Sequence, residues 1–312
     1  MGVLLHKNHH LAADCDHARG RERGGRGPTS TGWGGVSAEA RRRQLGDFLK
    51  ARRRQLVRAD LGLRPVAGRG EGLRREEVAA LSGVSVTWYA WLEQGRGRQP
   101  SRHVLDAIAT VFRLSAVEHS YLLSLAGYSA PQPAGDVIAQ TSPEPVLRLL
   151  DHLTDLPAYV IAADWQIVHW TTAFAALYPN VATVAEEERN LLWLIFTDPS
   201  VRAMLPDWEI AAQHFLAEFR ADAGPRLADP PLADLAGKLL DVSPAFRAAW
   251  DRHDVIGSIP TKRLIRHPIG DLHLERHRAR FSDPPAMHVV IYTPETPETR
   301  ELIRQLCRCF DR

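Results

Sequence analysis

Two short helical patterns separated by a single glycine restrict what the segment from Leu73 to Arg96 can fold into. The first pattern ends at Gly83, which can adopt a positive φ in a turn without steric cost. The second begins at Ser85, a residue type favoured at helix N-caps, and ends at Gln94-Gly95. The small Ala79 stands where the two helices would cross, so they can approach closely. The pattern predicts a helix-turn-helix between about Gly72 and Gly95.

The second helix of this unit is predicted to expose its N-terminal half. Val84, Tyr89 and Leu92 share one face and would seal the helix onto a bundle. In a helix-turn-helix the second helix lies in the major groove of DNA, and its first residues contact base edges. The candidate base contacts are therefore the outward positions, which are Ser85, Val86, Thr87, Trp88 and Trp91.

The chemistry of these side chains differs. Val86 and the methyl group of Thr87 suit thymine methyl groups, and the Thr87 hydroxyl can bond to several bases. Trp91 is placed to pack on bases or on sugar–phosphate. Trp88 can equally be buried against a neighbouring helix.

Arginines lie on both sides of this helix. Arg74 and Arg75 precede it and Arg96 and Arg98 follow it, so all four are predicted to neutralise DNA phosphates. The helix N-terminus at Ser101 is a further candidate phosphate site. The arginine runs 41–43 and 52–54 are as consistent with solvated helix faces as with DNA contact.

The charge is distributed unevenly along the chain. Between Ser37 and Pro100 there are 14 Lys/Arg and 7 Asp/Glu, whereas residues 101–312 hold 20 basic and 27 acidic residues. A basic module joined to an acidic one is typical of a polyanion-binding domain attached to a domain with a different task.

Four parts can be distinguished along the sequence. Residues 1–36 lack apolar periodicity and predict a disordered tail, and residues 37–128 predict an all-α bundle of five helices. Residues 129–145 are proline-rich and predict a linker, and residues 146–308 predict an α+β domain with an antiparallel sheet. In that domain the predicted helices span 146–153, 206–222, 231–240 and 244–253, and the predicted strands span 158–162, 166–170, 261–267, 271–278 and 287–292.

Several classes of protein are not favoured by the sequence. The longest apolar runs, such as Leu191–Phe196, are far shorter than the ~20 residues that cross a bilayer. No membrane span is predicted, and a cytoplasmic location is expected. No Gly-x-Ser-x-Gly motif or phosphate-binding loop occurs, so neither an enzyme activity nor a cofactor is predicted.

No metal site is predicted either. Cys307 and Cys309 have no two further ligands nearby, which favours incidental thiols in a terminal helix. His273 and His277, with Glu275 between them, superficially resemble a zinc-protease helix. The alternation around them predicts a strand instead, where residues i and i+4 lie about 13 Å apart.

The segment Leu45–Gly127 resembles the Xre-type (phage-repressor-like) helix-turn-helix of MmyB-like regulators from actinobacteria. The resemblance is carried by Gly72-Leu-Arg-Arg-Glu-Glu-Val-Ala, Gly83-Val-Ser-Val-Thr-Trp-Tyr and Leu92-Glu-Gln-Gly-Arg. It continues to about residue 308 through Leu156-Pro-Ala-Tyr-Val, Arg189-Asn-Leu-Leu-Trp, Phe196-Thr-Asp-Pro, Asp207-Trp-Glu, Phe246-Arg-Ala-Ala-Trp-Asp-Arg-His-Asp-Val and His267-Pro-Ile-Gly-Asp-Leu. The resemblance implies a PAS-like C-terminal domain that binds a small apolar, fatty-acid-like ligand.

The chain departs from the family pattern in two places. The strand ending Val168-His169-Trp170 usually continues into Asn, but Thr171 stands here, which puts the following helix cap and part of the pocket rim in question. The stretch Leu177–Asn190 also matches poorly.

Aromatic residues are dense in the second domain. Such a cluster can line a ligand pocket or simply fill a core. Arg202, Arg247 and His253 are candidates to anchor a carboxylate, or to form structural ion pairs. The predicted ligand-binding set is Trp165, Trp170, Trp193, Phe196, Arg202, Trp208 and Trp250.

Two hypotheses from different classes follow. The first is a ligand-responsive regulator that binds double-stranded DNA, as a homodimer in one version, and senses a small apolar molecule. The second is a lipid-binding or enzymatic domain whose helical N-terminus serves a protein partner. Steep salt dependence of binding to DNA separates the two.

Overall fold

A computed structural model describes residues 33–63, 72–96, 99–128, 144–256, 261–281 and 287–310. Most of the predicted N-terminal tail and linker therefore lies outside the described residues. The first domain consists of five α-helices, as predicted, followed along the chain by an α+β domain. The five helices are α1 (Trp33–Gln55), α2 (Arg75–Ser82), α3 (Val86–Glu93), α4 (Arg102–Val111) and α5 (Ala116–Leu125).

Apolar residues at helical spacing form the core of the first domain. Leu45, Phe48 and Leu49 of α1 are fully or almost fully buried, and the ring of Phe48 meets that of Tyr121 edge-on at 5.3 Å between centroids. The helix α1 begins at Trp33, ahead of the predicted domain boundary at residue 37. The bundle thus has a continuous core, to which each of its five helices contributes buried residues.

Two glycines set the geometry of the helix-turn-helix. Gly83 ends α2 with φ of 70°, the left-handed conformation that L-residues with a side chain avoid. Gly46 of α1 lies so close to α3 that an added Cβ would come within 2.5 Å of the Glu93 carbonyl oxygen. The first glycine allows the turn, and the second allows α1 to pack against α3 at close range.

The second domain is built on a five-stranded sheet in which all paired strands are antiparallel, with the order β2-β1-β5-β4-β3. The hairpin of the third and fourth strands pairs Leu264 with His273 and closes at His267 and Gly270. All five predicted strands are confirmed, with ends shifted by a few residues. They are β1 (Ala158–Ile161), β2 (Ile167–Trp170), β3 (Lys262–His267), β4 (Gly270–Arg280) and β5 (His288–Pro294).

Nine described helices accompany this sheet. The four predicted ones and the terminal helix holding Cys307 and Cys309 are confirmed. Four helices of only four to seven residues were not predicted, because they are too short to show an amphipathic period; the helix at residues 172–177, for example, buries every residue from Ala173 to Leu177. The nine are α6 (Glu144–Asp151), α7 (Thr172–Leu177), α8 (Asn180–Thr183), α9 (Leu191–Thr197), α10 (Pro199–Met204), α11 (Trp208–Ala223), α12 (Pro230–Val242), α13 (Pro244–Trp250) and α14 (Pro297–Phe310).

The two faces of the sheet are covered differently. Tyr159, Ile167 and Val290 belong to the large core that includes α7, α9, α11, α12 and α13. Val160 and Val289 belong to a smaller core under α6. Among the described helices, none has both the length and the apolar character required to cross a membrane.

Candidate functional site

The N-terminal half of α3 is exposed, as the sequence analysis expected. Ser85 caps the helix by accepting a 3.2 Å hydrogen bond from the Trp88 backbone N–H. Ser85, Val86 and Thr87 are exposed, and Trp91 is 51% exposed one turn further along. Trp88 is half-buried and packs against the core of the first domain. The surface of α3 therefore presents one tryptophan to solvent and uses the other for packing.

The inner face of α3 is held by buried charges. Glu93 accepts hydrogen bonds from Arg53 of α1 at 2.5 Å and from Arg75 of α2 at 2.7 Å. Burial alone would raise the pKa of Glu93, but the hydrogen bonds from both guanidinium groups outweigh it and hold the pKa below its ordinary value. One carboxylate thus joins three helices of the bundle, α1, α2 and α3.

The predicted phosphate contacts lie around α3 in different environments. Arg74 is exposed at the N-cap of α2, and its backbone N–H donates to Glu77. Arg75 is half-exposed but engaged with Glu93. Arg96 is exposed and lines a cleft of about 330 Å³ together with Arg41 and Arg42.

Two predicted phosphate contacts remain, Ser101 and Arg98. Ser101 is exposed and caps α4 by accepting a 3.4 Å hydrogen bond from the Val104 backbone N–H. Arg98 lies outside the described residues.

An apolar cavity of about 80 Å³ lies in the second domain between the sheet and helices α7, α9, α10 and α11. Its lining comes from the strands' inward positions and from the apolar faces of these helices. The lining residues are Tyr159, Ile167, Phe174, Leu177, Tyr178, Leu191, Leu194, Ile195, Val201, Met204, Leu205, Phe215, Ile265 and Tyr292.

None of the residues predicted to bind the ligand lines this cavity. Trp165 donates from Nε1 to Asp222 at 2.9 Å, and Trp208 donates from Nε1 to the Ile195 carbonyl at 2.8 Å. Phe196 meets Trp208 and Phe246 edge-on. These aromatic groups form the layer behind the cavity wall.

The other predicted residues lie further out. Trp193 is half-buried against the large core, and Trp250 stacks on Phe246. Trp170 lines a separate, more polar cleft of about 580 Å³ between α6 and α14. Arg202 is exposed and lies over the ring of Trp208 at 4.2 Å.

Sequence reasoning did not find Arg263, a cation beside the cavity wall. Its guanidinium lies 5.4 Å from the ring centroid of Phe215, and its Nε and Nη2 have no hydrogen-bond partner among the described residues. Burial lowers its pKa below the ordinary value. The strand alternation of β3, which turns Arg263 and Ile265 to the same face, was the available signal.

The charges around Arg263 leave a positive balance. The guanidinium groups of Arg276 and Arg278 both pair with Glu218, at 3.1 and 3.0 Å. Arg278 also pairs with Asp222. Because these carboxylates serve the other two arginines, Arg263 is left without a salt-bridge partner among the described residues.

The departure at Thr171 leaves the helix cap intact. Its hydroxyl accepts from the Phe174 backbone N–H at 3.2 Å and donates to the Leu156 carbonyl at 2.8 Å. Thr171 therefore caps α7 and ties it to the entry of β1, the two connections that a capping residue at this corner must make.

The residues considered for metal binding have other surroundings. His273, Glu275 and His277 lie on strand β4, as the alternation predicted, and His277 bonds to Thr293 at 2.8 Å. Within the described ranges, no group of three or more potential ligands is placed to hold a metal ion.

Comparison with protein families agrees with this division of the chain. Residues 44–122 match the model of a helix-turn-helix domain. Residues 143–306 match the model of the MmyB-like transcription regulator ligand binding domain. No curated protein matches the chain in sequence. Because the second match covers more than half of the chain and the first covers its DNA-binding helices, the chain belongs to the family of MmyB-like transcription regulators.

Proposed function

We propose that this ligand-responsive regulator reads specific DNA sequences through α3 and senses a fatty-acid-like molecule in the apolar cavity. Ser85, Val86, Thr87 and Trp91 would contact base edges. Arg74 and Arg96, with the α4 N-terminus at Ser101, would contact phosphates. The protein would work in the cytoplasm on chromosomal DNA, as a homodimer on a two-fold symmetric site.

The exposed start of α3 carries the DNA-reading half of the proposal. An exposed Trp91 is unfavourable in water and becomes favourable when it packs on a groove wall. Arg74, Arg96 and the nearby Arg42 are all exposed, so each can exchange counterions for DNA phosphates. Trp88 and Arg75 are instead assigned to the support of α3, since both have partners within the domain.

The cavity and Arg263 support the ligand class together. The cavity walls are aliphatic and aromatic, which suits an alkyl chain. The guanidinium of Arg263 has two N–H groups without partners among the described residues, which suits a carboxylate. An amphiphile with an anionic head and an apolar tail satisfies both features.

The test uses the full chain and a duplex that the chain itself selects from a random library. We expect the binding constant to fall steeply with salt, and Thr87→Ala to relax base preference while Arg96→Ala weakens binding to every sequence and lowers the salt slope. Binding that is absent or independent of salt would overturn the DNA-reading proposal.

A second arm tests the ligand. Dodecanoate should bind the full chain and change its affinity for the selected duplex, whereas decane-1,10-diol, which is polar at both ends, should not. The mass of the protein–DNA complex gives the number of chains on the duplex, and a single chain would overturn the homodimer.

A further inference from the structure

The contact between the two domains includes packing of residues 224–228 on α1 and α5, and it also includes three segments linked by hydrogen bonds and core contacts. These are helix α1, helix α11, and the residues from Trp250 to Val255, which we call the interdomain turn. Val255 is only 4% exposed and belongs to the core of the first domain, although it lies in the second domain's part of the sequence. Ala221 of α11 packs against the same core. The ligand domain thus contributes directly to the interior of the DNA-binding domain.

Arg220 of α11 holds the interdomain turn from the ligand-domain side. It is 2% exposed and donates to the carbonyl oxygens of Trp250 and Asp254. Its guanidinium also lies 4.5 Å from the centroid of the Trp250 ring. A buried cation is costly unless its donors are satisfied, so the position of Arg220 and the path of the turn depend on each other.

Arg52 of α1 holds the same turn from the DNA-binding side. Its Nη2 donates to the His253 carbonyl at 3.1 Å, and its Nη1 lies 3.9 Å from the Asp254 carboxylate. Gln55, one turn later on α1, donates to the Arg252 carbonyl at 2.7 Å. Arg53, which directly follows Arg52 in α1, donates a hydrogen bond to Glu93 at the end of α3.

The cavity reaches this contact by two routes. Phe215 forms part of the cavity wall and lies on α11, five residues before Arg220. Trp250 stacks on Phe246 with centroids 5.3 Å apart, and Phe246 meets Phe196, the neighbour of the cavity residue Ile195. The first route runs along helix α11 and the second runs through packed aromatic rings, and close-packed elements of this kind transmit displacement rather than absorb it.

The cavity is too small for a ligand unless one of its walls moves. Pockets for small molecules usually measure about 300–1,000 Å³, whereas this cavity measures about 80 Å³. A ligand with an alkyl chain therefore fits only if a wall moves outward. The helical walls are the movable ones, because the sheet side is fixed by the paired strands β1, β5, β4 and β3.

We propose that α11 and the interdomain turn couple the occupancy of the cavity to the placement of the DNA-binding domain, with Arg220 as the positioning residue. Filling the cavity displaces α11, and Arg220 carries the displacement to the interdomain turn. Arg52 and Gln55 then transfer it to α1. This inference rests on the proposed function for its ligand, but the coupling can be tested without any ligand.

The ligand-independent test enlarges a cavity residue in the full chain. Ile265→Phe adds bulk from the sheet side, and Leu194→Phe does so from α9 if the first variant folds poorly. We expect amide hydrogen exchange to change at least threefold in peptides covering the interdomain turn and residues 50–56. When Arg220→Met is added, the change in residues 50–56 should disappear, and Arg220→Lys should retain part of it. Unchanged exchange at residues 50–56 in both enlarged variants would overturn the coupling.

The ligand arm separates this inference from the proposed function. Dodecanoate should change the affinity of the wild-type chain for its selected duplex at least fivefold. In Arg220→Met the change should fall below twofold while dodecanoate still binds; Arg266→Met, which replaces an exposed arginine on β3, should behave as wild type. Equal changes in both variants would overturn the coupling route. Failure of dodecanoate to bind would overturn the proposed ligand, and the enlarged variants would still decide the coupling.

Discussion

Oε1 of Glu93, at the end of α3, accepts a 2.5 Å hydrogen bond from Nε of Arg53 in α1. The Glu93 side chain is 1% exposed and the Arg53 side chain 12%. Removing one member of such a pair leaves an uncompensated buried charge, which is far more destabilising than the loss of a surface ion pair. The buried pair of Glu93 and Arg53 therefore fixes where α3 can lie on the bundle.

Replacing Glu93 with Gln should destabilise the DNA-binding domain by about 3 kcal/mol, because two arginines lose their counter-charge. Urea unfolding followed by circular dichroism measures this change. Glu76→Gln, at an exposed position of α2, is the matched control and should stay within about 0.5 kcal/mol of wild type. Similar midpoints for the two variants would show that the buried pair does not stabilise the domain.

The two tryptophans of α3 should respond differently to substitution. Trp91→Ala should lower the affinity for the selected duplex about tenfold with little change in melting temperature, since its side chain is exposed. Trp88→Ala should cost about 2 kcal/mol of stability, because its side chain packs against the domain core. Fluorescence anisotropy and thermal melting measure the two effects. Loss of stability in Trp91→Ala would place its side chain in the core.

Replacing Arg263 with Met should weaken dodecanoate binding about tenfold, because a charge-assisted hydrogen bond is lost. Binding of dodecanol, which has the same chain and no charge, should change less than twofold. Calorimetry on the full chain gives both constants, and Arg266→Met serves as the control for a general change in charge. Equal losses for acid and alcohol would mean that Arg263 supports the cavity wall instead of binding the carboxylate.

Acidification should weaken the protein through His253. Burial, followed by the nearby Arg220 and Arg52, lowers the pKa of His253 to about 4, while Asp254 opposes the shift. Between this value and the ordinary pKa of 6.5, the unfolded chain binds a proton that the folded chain does not. Stability therefore rises with pH through this window and is lost as the pH falls.

His253→Asn should flatten this dependence. Between pH 4 and 6.5 the free energy of unfolding of the variant should vary by up to about 3 kcal/mol less than that of the wild type. Asn tolerates the positive φ of 53° found at this position. The slope should decrease without vanishing, since burial also lowers the pKa of His288 to about 4. The measurement is a series of urea midpoints at fixed pH values, and parallel curves for variant and wild type would contradict it.

The sequence predicted those elements that are marked by an apolar pattern or by local chemistry at their ends. Strand β4 and helix α4 follow clear periods, β1 is a short apolar run that is buried throughout, and Gly83 and Ser85 mark helix ends with local chemistry. The helices α7 to α10 escaped prediction because, at four to seven residues, they are too short to show a period. Their boundaries depend on tertiary packing, which no local pattern records.

The candidate site likewise has a part that the sequence could predict and a part that it could not. The exposed positions of α3 follow from helical geometry, so they could be inferred from Val84, Tyr89 and Leu92 alone. The cavity could not, because its walls combine Leu194, Phe215 and Ile265 from three distant parts of the chain. Counting tryptophans drew attention to the layer behind the wall, since a large aromatic ring fills a core as well as it lines a pocket. Arg263 stands in a strand whose alternation was visible, but its lack of a carboxylate partner was not.

The position of Val255 has a consequence for building hybrid regulators from this family. A cut in the segment between the two domains looks natural in sequence, yet it would remove a side chain that completes the interior of the DNA-binding bundle. A chimaera that joins this bundle to another member's sensor must therefore carry residues 250–255 along with α1, or match them. The two domains occupy separate parts of the sequence but share this contact, so exchange of domains between relatives is constrained there as well as at the proposed DNA and ligand sites.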